Sequence, residues 1–225
     1  DEGKDVLRER PVGSLLVEVQ PFLVITSRDI LLLDAGLGFS NKNGVLQLHQ
    51  LIMDNGINPS EITKVLMSHL HKDHSGGVGV ENENGISDKL SFPSAKYYIQ
   101  RQELEFALND TTASYVKEDL ECLKNSPQVV LLDGNGVIDD YIHYEMTSAH
   151  SKFHQVFWIE ENGQKVFFGG DDAPQLGQMK NKYVAKYDYN GKKCMELRQE
   201  WWKKGEEEHW TFLFYHDIKS PVVTR

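Results

Sequence analysis

The chain has 225 residues, 40% of them hydrophobic and 26% charged, so it is long enough to bury a substantial core and ordinary in composition for a globular protein. A formal net charge of −10 argues against a nucleic-acid backbone as main partner, because phosphate binding needs concentrated Lys and Arg. No uninterrupted apolar stretch approaches the roughly 18 residues of a membrane helix, so no membrane partner is expected.

The opening stretch DEGKDVLRER is charged and has no apolar signal core, although the first residue is not Met and a removed leader stays open. GSLLVEVQPFLVITSRDILLLDAGLG (13–38) predicts three short strands, rich in Val, Ile and Leu and punctuated by Pro21 and SRD. GVLQLHQLIMDNG (44–56) places Val45, Leu48, Leu51 and Ile52 on one helical stripe, with Gly56 as the stop. NPSEIT starts a short turn or helix, and KVLMS is a buried strand that runs straight into SHLHKDHSGG (68–77). Residues 79–95 are polar and turn-rich, either a lid beside a site or a solvated insertion. KYYIQ resumes a strand, and helical stretches follow over 101–108 and 114–124. PQVVLLDG opens a second strand-rich half that continues through YIHYEMTS, FHQVFWIEENG and QKVFFGGDD. GKKCMELRQEWWKKGEEE is helical, and HWTFLFYHD is a final strand. This order predicts two β layers packed face to face with helices outside, in a single domain over 1–225. Cys122 and Cys194 stand far apart and form no Cys-x-x-Cys pair, which predicts two reduced thiols and points to a reducing, cytoplasmic compartment.

The stretch SHLHKDHSGG carries the chemistry. Histidines at i and i+2 on an extended segment face the same side, so His69 and His71 can grip one ion. Asp73 and His74 turn with the loop and can reach a second. Gly76 and Gly77 let the backbone bend tightly behind them. Two ions need more than four ligands, and in a chain this poor in Cys those must be His and carboxylate. His150, Asp171 and His216 each follow an apolar strand and supply the candidates. The helical His-Glu-x-x-His zinc signature is absent from the sequence.

The motif His69-x-His71-x-Asp73-His74, followed in order by His150, Asp171 and His216, resembles the metallo-β-lactamase superfamily. The resemblance runs from about Gly13 to Asp217 and includes LLLDAG at Asp34, TSAHSKFHQ where members often have Thr-Pro-Gly-His, GGDDA and FYHD. It implies an α/β fold, the four-layer αβ/βα sandwich. It also implies that His69, His71 and His150 hold one divalent ion, that Asp73, His74 and His216 hold the other, and that Asp171 bridges them. Asp34 would support the ligand loop from behind. Asp171 is preferred to Asp172 because the family aspartate follows Gly directly and because successive side chains of an extended segment point opposite ways. His154 reads as a packing or supporting residue, and His49, His143 and His209 as structural. Trp201 and Trp202 read as core, and Glu206 to Glu208 as a solvated helix end.

The implied reaction is hydrolysis by a hydroxide held between two ions, with Asp73 orienting the water or passing a proton to the leaving group. No Gly-x-Ser-x-Gly elbow competes. With Asp73 and His74 both present and no Cys at a ligand position, the pattern is similar to members that hydrolyse lactones, thioesters or organophosphates, and most similar to lactonases. Those lactonases often carry Tyr three residues after the bridging Asp. Here that position is Pro174, which leaves Tyr183, Tyr187 and Tyr189 as replacements. The expected substrate is a small molecule with a lactone or related ester bond. A glyoxalase-II-like thioesterase and a non-catalytic metal- or ligand-binding relative stay open. Zinc is the expected metal, and the same nitrogen and oxygen ligands also accept iron or manganese. The oligomeric state is not set by any of these residues.

Overall fold

The computed structural model describes residues 17–225. FLVI (β1, Phe22–Ile25) folds back on ILLL (β2, Ile30–Leu33) around the SRD turn. The Thr26 hydroxyl accepts the Asp29 backbone N–H at 2.9 Å and closes that turn. From β2 the sheet continues in parallel through β3 (Lys64–Leu66), β6 (Lys96–Gln100) and β7 (Val129–Leu132), giving five strands in the order β1-β2-β3-β6-β7. Parallel neighbours require crossovers. These are α1 (Gln47–Asp54), the segment from α2 (Lys72–Ser75) through the hairpin β4 (Gly79–Glu81) and β5 (Ser87–Leu90), and α3 (Arg101–Asn109) with α4 (Lys117–Leu120).

The second sheet has six strands in the order β13-β12-β11-β10-β9-β8. They are β8 (Gly136–Ile138), β9 (Ile142–Met146), β10 (Gln155–Glu161), β11 (Gln164–Phe168), β12 (Thr211–Leu213) and β13 (Val222–Thr224). All pairings are antiparallel except β11 with β12. That one parallel pair is connected through α5 (Leu176–Lys180) and the long α6 (Gly191–Glu207).

The period-two pattern of the strands sorts the core into three layers. Leu31, Leu33 and Leu66 of the first sheet meet Phe157, Ile159, Phe168 and Leu213 of the second. Their alternates point the other way. Leu32 and Val65 pack with Ile52 of α1 and Leu104 of α3, while Val156, Phe167 and Phe212 pack with Trp201 of α6. Helices, sheet, sheet, helix: the layering is the expected αβ/βα sandwich. Trp201 lies in the core and Trp202 packs against it.

Several local expectations are corrected. The first of the three expected strands begins in residues outside those described, and its described part, from Val17, pairs as no strand. Residues 79–95 contain the β4–β5 hairpin, which packs on α4 and the 3-10 turn Glu121–Leu123. A sequence with so many Gly, Asn and Ser residues hides a hairpin because its strands are short and mostly exposed. β7 does not open the second half; it completes the first sheet beside β6. β13 was not expected, because PVVTR is too short to show alternation.

The glycine pair after the histidines has a different reason from the one expected. Gly76 has an ordinary φ of −58° and needs no special bend. Instead the chain at Gly76–Gly77 lies directly on the chain at Ala35–Gly38, with Ala35 N–H donating to the His74 carbonyl at 2.7 Å and Gly77 N–H to the Gly36 carbonyl at 3.2 Å. A Cβ on Gly77 would strike the Ala35 carbonyl oxygen. Gly77→Ala is therefore expected to destabilise the fold by about 1–3 kcal/mol, as overpacking against unyielding backbone does. A urea-unfolding midpoint unchanged from wild type would refute this close approach.

Candidate metal centre

All of the candidate ligands lie at strand ends on one edge of the sandwich. Ser68 and His69 follow β3, Asp73 and His74 sit in α2, and His150 lies in the β9–β10 connection. Asp171 follows β11, and His216 follows β12. The structure brings these residues together as two groups. His69, His71 and His150 form one set of potential ligand atoms within 4.8 Å of each other, and Asp73, His74 and His216 form another. Asp171 lies between them. Its Oδ2 is 3.3 Å from His150 Nε2, and its Oδ1 is 3.2 Å from His74 Nε2 and 3.0 Å from His216 Nε2. Asp73 Oδ2 lies 3.6 Å from His216 Nε2.

Asp171, expected in preference to Asp172, is the aspartate that lies between the two groups, but the extended-segment reason for that expectation does not hold. Residues 170–172 form a 3-10 turn, and Gly170 takes φ +49°. That turn sends the fully buried Asp172 inward, where it accepts from Thr147 Oγ1, from the His150 backbone N–H at 2.7 Å and from His154 Nδ1 at 3.1 Å. His154 in turn accepts the Asp171 backbone N–H on Nε2 at 3.2 Å. His154 thus supports the centre from beneath and is not one of the clustered ligand atoms.

The remaining nitrogens of the imidazoles are held from behind. His74 Nδ1 is 2.7 Å from Asp34 Oδ2, His150 Nδ1 is 2.9 Å from Asp188 Oδ1, and His216 Nδ1 is 2.5 Å from the Glu18 carbonyl. His69 Nδ1 is 3.0 Å from Ser68 Oγ, which itself donates to Asp34 Oδ2 at 2.7 Å. Each contact fixes which ring nitrogen carries the proton and leaves the other free to face the centre. Tyr215 stacks on His74 at 4.1 Å between ring centroids and donates to the Asp73 carbonyl at 2.8 Å, which pins the helical turn of α2. Glu103, buried at the start of α3, accepts the Leu70 N–H at 2.9 Å and so holds the link between His69 and His71.

The electrostatics divide the histidines. Burial and the neighbouring imidazoles push His69 well below its ordinary value, and burial with His150 pushes His71 down to about 3. Both are neutral, the form that binds metal. Burial opposes charge on His74, His150 and His216 as well, but Asp171 outweighs it, helped by Asp34 and Asp188, and all three are raised. Burial works against the Asp171 charge too, and these three histidines outweigh it and hold its carboxyl well below the usual range. Protons gathered around one buried carboxylate are what a cation would displace.

The donor set fits divalent ions. His69 Nε2, His74 Nε2 and Asp171 Oδ1 are buried and have no hydrogen-bond partner, three such atoms meeting at one place where fully paired groups are the rule. His71 Nδ1 and His150 Nε2 stand 3.2 Å apart, close to the ~3.3 Å edge of a tetrahedron with metal–nitrogen bonds of about 2.0–2.1 Å. A third group, Asp34 with His69 and His74, also has its potential ligand atoms within 4.8 Å of one another. Its carboxylate is already engaged by the Ser68 N–H, the Ser68 hydroxyl and His74, so it orients ligands and is not one.

The centre opens into a cavity of about 290 Å³, into which His71, Asp73, His150, Asp171 and His216 project. Pro174, Gln175, Gln178 and Tyr187 also line it. Of the tyrosines considered in place of Pro174, only Tyr187 borders this cavity among the described residues, with its ring 6.1 Å from that of His150. No residue of 79–95 borders it among those described. His143 and His209 lie elsewhere, in β9 and after α6, and His49 packs against Phe92. Cys122 and Cys194 are both free and buried. Sequence reasoning missed Asp188 and Glu103: nothing in YDYN or RQELE distinguishes a buried carboxylate from a solvated one.

A sequence model of the metallo-beta-lactamase superfamily matches residues 17–183, a span holding every candidate ligand except His216. Among curated proteins, the N-acyl homoserine lactonase AttM of Agrobacterium fabrum is 28% identical over 141 residues, covering 56% of this chain and 47% of that protein. The N-acyl homoserine lactonase AiiA of Bacillus thuringiensis subsp. kurstaki is 29% identical over 105 residues, covering 47% of this chain and 36% of its own. The chain thus spans about half or less of the length of these relatives. Among solved structures, a probable metal-dependent hydrolase from Staphylococcus aureus superposes with a TM-score of 0.81 at 22% identity, over 92% of this chain and 77% of that one. AidC, a dizinc quorum-quenching lactonase in complex with its product N-hexanoyl-L-homoserine, gives 0.73 at 18% identity, over 92% and 75%. At these identities the structural likeness speaks for the fold, and it agrees with the layering and the strand-end site. With most of its length matched by the family's sequence pattern, the chain belongs to the metallo-beta-lactamase superfamily.

Proposed function

We propose that the chain is a hydrolase of lactones or closely related small esters that works with two divalent ions, most simply zinc. The observation that carries this reading is the pair of ligand groups joined by the two oxygens of Asp171. His69, His71 and His150 would hold one ion, and Asp73, His74 and His216 the other. Two ions so held would lower the pKa of a water between them to about 7 and polarise a substrate carbonyl.

The rest of the chemistry falls to the chain's own groups. Asp73 borders the cavity with its side chain 32% exposed, so one oxygen can ligate while the other faces substrate. It would take the proton of the attacking water and return it to the leaving alkoxide. Tyr187 borders the same cavity, and its hydroxyl would donate to the carbonyl oxygen as charge builds there. Tyr187→Phe is expected to lower kcat/KM by roughly 10–100-fold with metal content unchanged, the worth of one hydrogen bond to a developing charge. Unchanged kinetics would remove Tyr187 from the reaction.

The wider test loads the protein with zinc or manganese and assays N-acyl homoserine lactones beside thioesters and phosphotriesters. Lactone turnover that a chelator abolishes and the ion restores is the expected result. Turnover confined to thioesters would move the substrate class to the glyoxalase-II-like reading. Metal uptake without turnover of any ester would favour a binding relative. The lactonase reading is also supported by the relatives AttM and AiiA, which are N-acyl homoserine lactonases.

A further inference from the structure

The segment that carries Tyr187 is stitched to the ligand loop by main chain and side chain together. Tyr189 N–H donates to the His150 carbonyl at 2.9 Å, and Asn190 N–H to the Ala149 carbonyl at 2.7 Å. Between them Asp188 turns inward, its side chain only 1% exposed, and its Oδ1 meets His150 Nδ1 at 2.9 Å. Its other oxygen is buried with no hydrogen-bond partner. A fold that needed only packing here would not keep a buried carboxylate with one oxygen unpaired, because such a group costs several kcal/mol to desolvate. The arrangement makes sense if the charge serves His150.

Each of the two ligand groups has a carboxylate behind one of its histidines, and the two carboxylates are different residues. In the group of His74 and His216, His74 has a carboxylate directly on its rear nitrogen, from Asp34. In the group of His69, His71 and His150, His69 meets a hydroxyl on its rear nitrogen, and His150 meets the carboxylate of Asp188 on its own. We propose that Asp188 is a positioning residue that selectively sets the affinity of the ion held by His69, His71 and His150. It does so by accepting the hydrogen bond of His150 Nδ1–H, which keeps the proton on that nitrogen and the Nε2 lone pair toward the centre, and by lending that imidazole negative charge. The inference rests on the two-ion reading above.

The test uses zinc titration of the metal-free full chain against a competing chromophoric chelator, so that no turnover is needed. Wild type is expected to bind two ions. His216→Ala retains chiefly the ion of His69, His71 and His150. In that background Asp188→Asn is expected to weaken binding by roughly 10–100-fold, the usual effect of losing such a partner, and Asp188→Ala at least as much. In a His71→Ala background, which retains chiefly the other ion, Asp188→Asn is expected to leave affinity within about twofold of its parent. Equal weakening in both backgrounds would mean a general structural role and overturn the selectivity. No weakening in the His216→Ala background would overturn the proposal outright. A wild-type chain that binds no zinc would instead overturn the two-ion reading and this inference with it. The melting temperature of each metal-free variant guards against misfolding. Asp188→Asn keeps an acceptor for Nδ1–H, and a metal-free melt close to its parent's is expected.

Discussion

Asp171→Asn is expected to reduce metal content from about two ions per chain to one or fewer and to lower kcat/KM by at least ~10³-fold, about 4 kcal/mol of transition-state stabilisation. The reason is the way Asp171 divides its oxygens. Oδ2 faces His150, and Oδ1 faces His74 and His216. An amide keeps one weak ligand oxygen and turns the other position into an N–H donor, which repels a cation. The same residue shapes the acid stability of the metal-free protein. Its pKa is depressed in the fold, so its contribution is present above the unfolded value of about 3.9 and is lost as pH falls below it. Wild type without metal should therefore lose stability on acidification below about pH 4, and Asp171→Asn should lack that part of the acid limb. Elemental analysis and urea midpoints between pH 5 and 2 check both halves. An Asp171→Asn variant that still carries two ions would refute the bridging role.

What the sequence made legible here follows from how local each signal is. The candidate ligand cluster stands out because four of its members fall within residues 69–74 and because metal chemistry restricts the residue types. The strands of the core could be read because their alternates are all apolar, as in ILLL, whose Leu32 faces one layer while Leu31 and Leu33 face the other. Beyond Asp34 and His154, the side chains behind the cluster could not. Asp188 reaches His150 across 38 positions and Glu103 reaches Leu70 across 33, and no local pattern announces either contact. The preference for Asp171 over Asp172 has two grounds, the family position and strand alternation. The strand-alternation argument for it failed because a turn at Gly170 replaces the strand there. The hairpin within 79–95 was hidden for the opposite reason: its residues look like loop because most of them face water.

The largest stability effect is expected at Asp34, and two substitutions there should separate folding from metal binding. Asp34 is fully buried at φ +55°, a conformation that Asp and Asn tolerate and Ala does not tolerate well. Its oxygens accept from the Ser68 N–H at 2.7 Å, the Ser68 hydroxyl at 2.7 Å and His74 Nδ1 at 2.7 Å. Asp34→Ala strands those three donors in the core and strains the backbone, so a loss of roughly 3–5 kcal/mol is expected, read from the urea midpoint of the metal-free protein. Asp34→Asn keeps the backbone shape and can still accept from the Ser68 N–H through its one oxygen. Its amide nitrogen, however, then faces His74 Nδ1 as a donor. To accept that bond the imidazole must carry its proton on Nε2, the nitrogen that faces Asp171 and would bind metal. The variant should therefore fold, with a midpoint far closer to wild type than the alanine form, and yet bind the ion of His74 some 10–100-fold more weakly. The Ser68 hydroxyl lies between Asp34 and His69, so a smaller loss is expected for the other ion as well. Zinc titration of the folded asparagine variant decides the point. Wild-type affinity for both ions would mean that Asp34 holds the loop by packing and hydrogen bonding alone, and that the proton position on His74 is set elsewhere.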